Sequence, residues 1–459
     1  MIGAESLGDG DILQIKTWRA LCRRCAGALA PIALYVLLPV SAFSQTPADF
    51  AGNLGPLYQG ILARPSDLNN TLQYAASASA DDIESAIGTY EQLLFYNPKL
   101  SRVRFELGVL YFRLGSYEMA RSYLQSALRM PDITADLQER VEDLIAIIDK
   151  KLQVDQFTGY VQSGLAYQSN PGAGPGSQTV LASGRAFDHR FFSQSDWNWF
   201  GAFGLNYVHD FETQNGDTFE ASAIGYDAQE FRLHQFDVGL VELRAGPRIG
   251  IPTGDPKTSL SIKPYLIATG ALLADTPYYG GLGGGLTVHT NVGHVALDPY
   301  VEIVQQSFRN SSFYPLASGF SGTLSTYGLQ ASGPIASGLG FQSRLGFGHA
   351  SDNYNPYSYD VYAADIWLPW NFSFPGDGRL WTLIPTAGVS RWLYAAPDPT
   401  IDPNTTPRTT EWRLGLGLEI PLWRQVVLGT LVQYRADQSN VAAFTMHNLS
   451  VSAGPTFKF

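Results

Sequence analysis

Few residues of this chain fall into a pattern that is typical of catalysis or metal binding. The two cysteines stand in the tetrapeptide Cys22-Arg-Arg-Cys25, which resembles half of a zinc site, but no second ligand pair follows it. The seven histidines do not form the His-Glu-x-x-His pattern of zinc peptidases, and no Gly-x-Ser-x-Gly elbow of serine hydrolases is present. We therefore expect no enzyme activity, no metal and no cofactor.

A glycine-rich run, Gly280-Gly281-Leu282-Gly283-Gly284-Gly285, could be mistaken for a phosphate-binding loop. A phosphate loop opens a helix and carries a lysine, and this run is followed by neither. Its glycines are better explained as relief of crowding within a curved β-sheet.

Composition narrows the class of protein. Of the 459 residues, 45% are hydrophobic, 13% are aromatic and only 15% are charged. After residue 40 no stretch holds the roughly 18 consecutive apolar residues that a membrane helix needs, so this composition favours strands that alternate between lipid and a polar lumen. The formal net charge of -11 argues against nucleic acid as a partner. An acidic, soluble all-β protein is the alternative.

The N-terminus carries the features of a secretory signal. Arg19, Arg23 and Arg24 precede an apolar run from Ala26 to Val40, and the small residues Ala42 and Ser44 follow. A basic region, a short apolar region and a small-x-small end are typical of a cleaved signal peptide. We expect residues 1–44 to be removed, both cysteines with them; an uncleaved signal anchor is the alternative.

Residues 45–153 are expected to form a short periplasmic helical-repeat domain. At an offset of 34 residues, Ala86 aligns with Ala120 and Tyr90 with Leu124, which is the period of the tetratricopeptide repeat. The clearest copy contains Gly108, where a small residue is needed for two helices to cross closely. Such stacks bind peptide segments, so the domain is predicted to be a client receptor or, alternatively, a spacer. The candidate client-binding residues are Tyr111, Phe112, Tyr117 and Tyr123.

Residues 154–459 are expected to form an antiparallel transmembrane β-barrel, which makes the fold class α + β multidomain. Trp412, Leu414, Leu416 and Leu418 alternate with Arg413, Gly415, Gly417 and Glu419, as lipid outside and a polar lumen inside require. Strands of about ten residues with their connections give about fourteen strands. An even count places the beginning of the first strand and the end of the last strand on the same, periplasmic side. The candidate lumen residues are Glu302, Arg344, Arg413 and Glu419; alternatively, these side chains only neutralise one another.

The last strand ends in Ser452-x-Gly454-x-x-Phe457-x-Phe459. This pattern looks like the C-terminal signal read by the bacterial barrel-assembly machinery. An unpaired edge strand has to be delivered and closed, which explains why such a signal is needed. We therefore expect an outer-membrane location, with the N-terminal domain in the periplasm and with the assembly machinery and outer-membrane lipid as partners.

The architecture resembles the surface lipoprotein assembly modifier (Slam) family, in which a small tetratricopeptide domain precedes a barrel of about fourteen strands. The most specific part is the junction, where Arg140 to Leu152 lead into Phe157-Thr158-Gly159-Tyr160 and then Tyr167-Gln168-Ser169-Asn170. The family's first strand commonly ends in aromatic-Asp-Ser-Asn; here Gln168 replaces the acidic residue. The resemblance implies that the protein moves surface lipoproteins or secreted proteins across the outer membrane, without catalytic residues.

Two other functions are compatible with this organisation. An exopolysaccharide export porin also joins tetratricopeptide repeats to a barrel, but such porins usually carry many more repeats. A plain diffusion porin would leave the repeat domain unexplained.

Overall fold

The computed structural model describes residues 83–176, 181–182, 185–186, 192–253, 259–374 and 378–459. The described chain divides into two compact units, one ending at Gln156 and the other beginning at Phe157. The predicted signal peptide, residues 1–44, and the first part of the predicted helical domain, up to residue 82, lie outside the described residues.

The first unit consists of α-helices. They are α1 (Ile83–Tyr96), α2 (Ser101–Arg113), α3 (Tyr117–Leu128) and α4 (Ala135–Lys151). Ala86 and Tyr90 of α1 are buried, as are their counterparts Ala120 and Leu124 of α3, so the predicted 34-residue repeat is present in the packing. None of the described helices is long and apolar enough to cross a membrane.

Close contact between α2 and α3 explains the glycine of the repeat signature. A Cβ atom on Gly108 would lie 2.5 Å from Leu124 Cγ and 3.3 Å from the Ala120 carbonyl oxygen. Leu124 and Ala120 are fully buried at this crossing. A larger residue at position 108 would therefore have to push the helices apart.

The second unit is built from long antiparallel strands. They are β1 (Asp155–Gln168), β2 (Asp196–Asp210), β3 (Thr218–Glu230), β4 (Val238–Gly250), β5 (Leu260–Leu273), β6 (Thr276–Val292), β7 (Val295–Phe308), β8 (Gly322–Ala336), β9 (Leu339–Asp352), β10 (Tyr359–Trp367, continued as Trp370–Ser373), β11 (Leu380–Tyr394), β12 (Arg408–Trp423), β13 (Val426–Ser439) and β14 (Met446–Lys458).

These strands form one closed sheet. Each strand is hydrogen-bonded to the next along the chain, and β14 pairs with β1, with Tyr160 opposite Lys458 and Gln168 opposite Ser450. The sheet contains 15 hydrogen-bonded segments, two of which are the halves of β10 and lie between the same two neighbours. The described residues thus form a fourteen-stranded barrel, which confirms the predicted fold class.

The two ends of the barrel differ in their connections. At the end where β1 begins and β14 ends, two-residue turns at 293–294, 337–338 and 424–425 join strands. At the opposite end the connections include 309–321 and 395–407. We call this second end the loop end.

Neighbouring positions along a strand face opposite sides of the sheet. One side carries exposed large apolar residues: Val161, Leu165, Trp199, Leu243, Leu266, Leu282, Ile303, Leu345, Leu414 and Val432. The other side carries ion pairs between strands that are not neighbours, such as Arg244 of β4 with Glu302 of β7. Such pairs have to span the concave side, so the polar side faces the lumen and the apolar side forms an outer belt.

The Gly108 contact leads to a stability prediction. Gly108→Val should destabilise the helical unit by about 1–3 kcal/mol because the branched side chain overpacks the crossing of α2 and α3. The matched control is Gly88→Ala in α1, where a Cβ atom meets nothing within 4 Å. This control should be neutral or stabilising by up to about 1 kcal/mol.

The measurement is urea unfolding of the full-length protein in detergent, followed by the helical circular-dichroism signal. Equal transition midpoints for Gly108→Val and the wild type would contradict the described helix crossing.

Candidate functional site

The most prominent polar and aromatic cluster of the helical unit joins α1, α2 and α3. The rings of Tyr111 and Tyr123 stack with centroids 5.4 Å apart and an interplanar angle of 8°. Both hydroxyl groups donate hydrogen bonds to the same oxygen of Glu91, at 2.9 and 3.0 Å. All three side chains are partly or fully accessible to solvent. We call Tyr111, Tyr123 and Glu91 the tyrosine–glutamate cluster.

The environment of this cluster keeps the tyrosines protonated. Desolvation, followed by the hydrogen bond to Glu91, raises the pKa of Tyr123 to about 12. The same two causes raise the pKa of Tyr111. The hydroxyl groups therefore remain hydrogen-bond donors over the whole physiological pH range.

The other two predicted client-binding residues form a separate pair. Phe112 and Tyr117 lie with ring centroids 5.6 Å apart, at 58° to each other. Both pack, partly buried, against the core between α2, α3 and α4. The four predicted residues are therefore two aromatic pairs, and their role in client binding stays a prediction.

In the lumen, a chain of five charged groups crosses the wall from β9 to β13. Arg344 and Arg413 both bind Asp365, at 2.9 and 2.6 Å. Arg413 also pairs with Glu411, whose other oxygen lies 2.8 Å from Arg435. The side chains of Asp365 and Glu411 are only 6% and 1% exposed. Two buried carboxylates thus hold three arginines in one row, which we call the lumen ladder. At its end Arg435 also binds Asp437, at 3.0 Å.

A glycine makes the ladder possible. Asp365 belongs to β10 and Arg413 to β12, so their ion pair passes over the intervening strand β11 at Gly388. A Cβ atom on Gly388 would collide with the Asp365 carboxylate and would lie 3.1 Å from Arg413 Nε.

The remaining predicted lumen residues are also paired. Glu302 accepts hydrogen bonds from Arg244 and, at 2.7 Å, from the Tyr265 hydroxyl. Glu419 binds the Lys458 ammonium group at 2.8 and 2.9 Å, close to the end where β1 begins and β14 ends. All four predicted lumen residues are thus paired with other side chains of the barrel, and their role in the lumen stays a prediction.

The residues of the predicted assembly signal lie on the closing strand. Phe457 and Phe459 are 42% and 40% exposed, and their rings stack at 5.8 Å. Gly454 lies against the backbone of Ser163 and Gly164 on β1, where a Cβ atom would collide. Recognition of these residues by an assembly machinery stays a prediction.

The loop end is covered by a buried apolar cluster that the pattern of the sequence did not indicate. We call it the loop-end cluster; its members are Leu273, Tyr278, Phe308, Tyr314, Ala317, Phe320, Tyr357, Ile401, Val441, Ala443 and Phe444. Phe320 and Tyr357 stack at 4.1 Å, and the Tyr314 hydroxyl donates to the carbonyl oxygen of Gln235 at 2.8 Å.

The members of the loop-end cluster come from connections on several sides of the barrel. The connections after β7, β9, β11 and β13 each contribute residues, and Tyr314 reaches the connection between β3 and β4. A core shared by these connections has to lie across the mouth. The loop end is therefore covered by an apolar lid.

Sequence reasoning missed several members of the ladder, although a signal was present. Glu411 precedes Arg413 by two positions, so period-two alternation places both on the lumen side. Arg435 lies opposite Arg413 in the β12–β13 register and therefore shares that side. Asp365 could not be found in this way, because its partnership with Arg413 skips a strand.

Known proteins resemble each part of the chain only distantly. No family model matches the chain, and no curated protein does. The helical region is similar to the type III secretion chaperone SycD of Yersinia enterocolitica, solved in complex with a peptide of the translocator YopD. The identity is 16%, the TM-score is 0.21, and the match covers 31% of this chain and 96% of that one.

The barrel is similar to an anion-selective porin from Comamonas acidovorans, at 9% identity and a TM-score of 0.32, covering 66% of this chain and 99% of that one. It is also similar to the β domain of the Bordetella autotransporter BrkA, at 10% identity and a TM-score of 0.29, with coverages of 66% and 99%. These values are too low to assign a function. The closed sheet with its apolar outer belt is the fold of an outer-membrane β-barrel.

The lumen ladder leads to a prediction about barrel stability. Glu411→Gln should destabilise the barrel by about 1–3 kcal/mol, because Arg413 and Arg435 lose their shared buried carboxylate and keep only Asp365 and Asp437 as partners. The matched control is Glu419→Gln, whose partner Lys458 is 40% exposed. Loss of that solvated pair should cost no more than about 1 kcal/mol.

The readout is the midpoint of urea unfolding of the barrel in detergent, scored by the gel mobility of the folded form. If both variants unfold at the same urea concentration, the ladder does not have the described buried arrangement.

Proposed function

We propose that this protein binds a polypeptide client through its helical unit and that the barrel moves the client across the outer membrane or displays it there. The observation that carries the proposal is the tyrosine–glutamate cluster. Two stacked, partly exposed rings offer a rigid aromatic surface, and aromatic residues of this kind dominate binding energies at protein interfaces. The adjacent Glu91 carboxylate can accept backbone N–H groups or basic side chains of an extended segment.

The described loop end supports regulated passage rather than free diffusion. A channel for small solutes works best with an open mouth, whereas the loop-end cluster places buried aromatic residues across it. Passage of a client then requires the lid to move. A client held at the helical unit would make such opening selective.

The resemblance to the Slam family supports the same proposal and suggests the client class. Surface lipoproteins or secreted proteins would be the clients, and the barrel-assembly machinery would insert the protein through its last strand. In transmembrane barrels the short turns face the periplasm, so the helical unit, which precedes β1 at the end with short turns, would be periplasmic. The proposed role is binding and transport without covalent chemistry.

Export of an exopolysaccharide is the second candidate. The tyrosine–glutamate cluster also suits a sugar, because aromatic rings stack on sugar rings and carboxylates accept their hydroxyl groups. The short repeat array argues for a protein client. The experiment below separates the two.

The proposal predicts the behaviour of point variants in cells. Glu91→Lys and Tyr123→Ala should each lower the amount of one or a few proteins on the cell surface by about fivefold or more, as expected for loss of a binding hot spot. The matched control is Phe95→Ala, which removes an aromatic ring that is 83% exposed on the same unit. It should leave the surface proteins unchanged.

The measurement is surface biotinylation followed by quantitative mass spectrometry, together with an assay of surface polysaccharide. Loss of polysaccharide with unchanged surface proteins would replace the proposal by the second candidate. If neither changes while the barrel is assembled normally, the helical unit is not a client receptor.

A further inference from the structure

The outer wall of the barrel contains a groove of about 1200 Å³ that crosses strands β1 to β7. Its floor consists of outward-facing glycines, one from each of the strands β2 to β6: Gly201, Gly225, Gly239, Gly270 and Gly280. Its walls include the exposed side chains of Trp199, Leu272 and Leu282, which belong to the outer apolar belt. We call this feature the wall groove.

The register shows that two of these glycines are directly paired. Gly225 lies opposite Val241, Val241 lies opposite Gly270, and Gly270 lies opposite Gly280. Side chains at directly paired positions share one face of the sheet. Gly270 and Gly280 therefore lie side by side and leave a depression in the belt, and the Val241 side chain separates them from Gly225.

The packing of the protein does not require two of these glycines, Gly270 and Gly280, whereas the Phe203 ring covers Gly225 and would collide with a Cβ atom there. A Cβ atom on Gly280 would meet nothing within 4 Å, and one on Gly270 would meet only Val241 Cγ1, at 3.7 Å. The lumen side of β6, the strand of Gly280, is crowded instead, since a Cβ atom on Gly285 would lie 2.6 Å from the Tyr265 ring. Gly285 thus relieves crowding in the lumen, whereas Gly270 and Gly280 leave space on the outer wall that no described part of the chain fills.

An arginine, Arg309, lies where the groove reaches the loop end. Arg309 follows directly on β7, lines the groove and is exposed. Among the described residues its guanidinium group has no carboxylate partner. Asp227, also in the groove, lies on β3 and accepts the Gln229 amide at 3.3 and 3.4 Å. Four strand spacings, about 19 Å, separate Asp227 from Arg309, so the two charges are not neighbours.

We propose that the wall groove binds an acyl chain of a phosphorylated outer-leaflet lipid, with the lipid phosphate at Arg309. The groove is continuous with the lipid-facing belt, so acyl chains are what surrounds it in the membrane. Longer loops of transmembrane barrels are extracellular, which places Arg309 at the outer-leaflet surface. An exposed guanidinium group with no internal carboxylate matches a phosphate there. This inference does not depend on the client proposed above.

The first test fills the groove. Gly270→Leu/Gly280→Leu should lower lipid retention by the purified full-length protein about fivefold or more, because the leucines occupy the space of the acyl chain. The matched control is Ala387→Leu, an exposed outward position on β11 opposite Leu414. Native mass spectrometry in detergent measures binding of hexa-acylated lipid A and, separately, of phosphatidylglycerol. Equal retention by the filled variant and the control would overturn the proposal.

The second test removes the cation. Arg309→Gln should weaken binding of the preferred phosphorylated lipid by roughly threefold to tenfold and should leave binding of diacylglycerol, which has no phosphate, unchanged. The matched control is Arg391→Gln, an exposed arginine on β11 that donates to Thr410. Preference for lipid A supports the proposal, and preference for phosphatidylglycerol would overturn the assignment to an outer-leaflet lipid.

The Arg309→Gln variant also tests the lipid-binding proposal if the Gly270→Leu/Gly280→Leu variant fails to assemble. Unchanged affinity for both phosphorylated lipids in this variant would show that no phosphate binds at Arg309 and would overturn the proposal.

Discussion

Backbone pairing is the constraint on which the rest of this structure depends. The hydrocarbon region of a membrane offers no partner for an N–H or C=O group, so a sheet that crosses it has to close on itself. Here β14 pairs with β1 and completes the ring. Once the ring is closed, every strand has one face toward lipid and one toward the lumen. Charged side chains on the lumen face then form ion pairs with one another, as Arg413 does with Asp365 over Gly388.

The features that the sequence predicted correctly are those encoded by local periodicity. Alternation around Leu414 and Arg413 predicted which side of β12 is exposed, and Leu414 is indeed 60% exposed. The 34-residue offset predicted that Ala86 and Ala120 occupy equivalent buried positions, and both are fully buried. Period alone suffices in these cases because each residue's environment follows from its place on one strand or one helix.

Other features depend on how distant segments come together, which local periodicity does not encode. The loop-end cluster joins residues as far apart in sequence as Leu273 and Phe444. The run from Gly280 to Gly285 was interpreted only as relief of crowding, which holds for Gly285 but leaves Gly280 unexplained. The roles of Tyr111, Phe112, Tyr117 and Tyr123 in client binding stay predictions.

The orientation of the sheet can be measured directly. In a background with Cys22 and Cys25 replaced by serine, a spin label is attached in turn at each position from Glu411 to Glu419 in protein reconstituted into liposomes. Collisions with oxygen, which concentrates in lipid, should peak at positions 412, 414, 416 and 418, and collisions with a water-soluble nickel complex at the positions between them. Peaks of the opposite phase, or no alternation, would contradict an apolar belt facing lipid around a polar lumen.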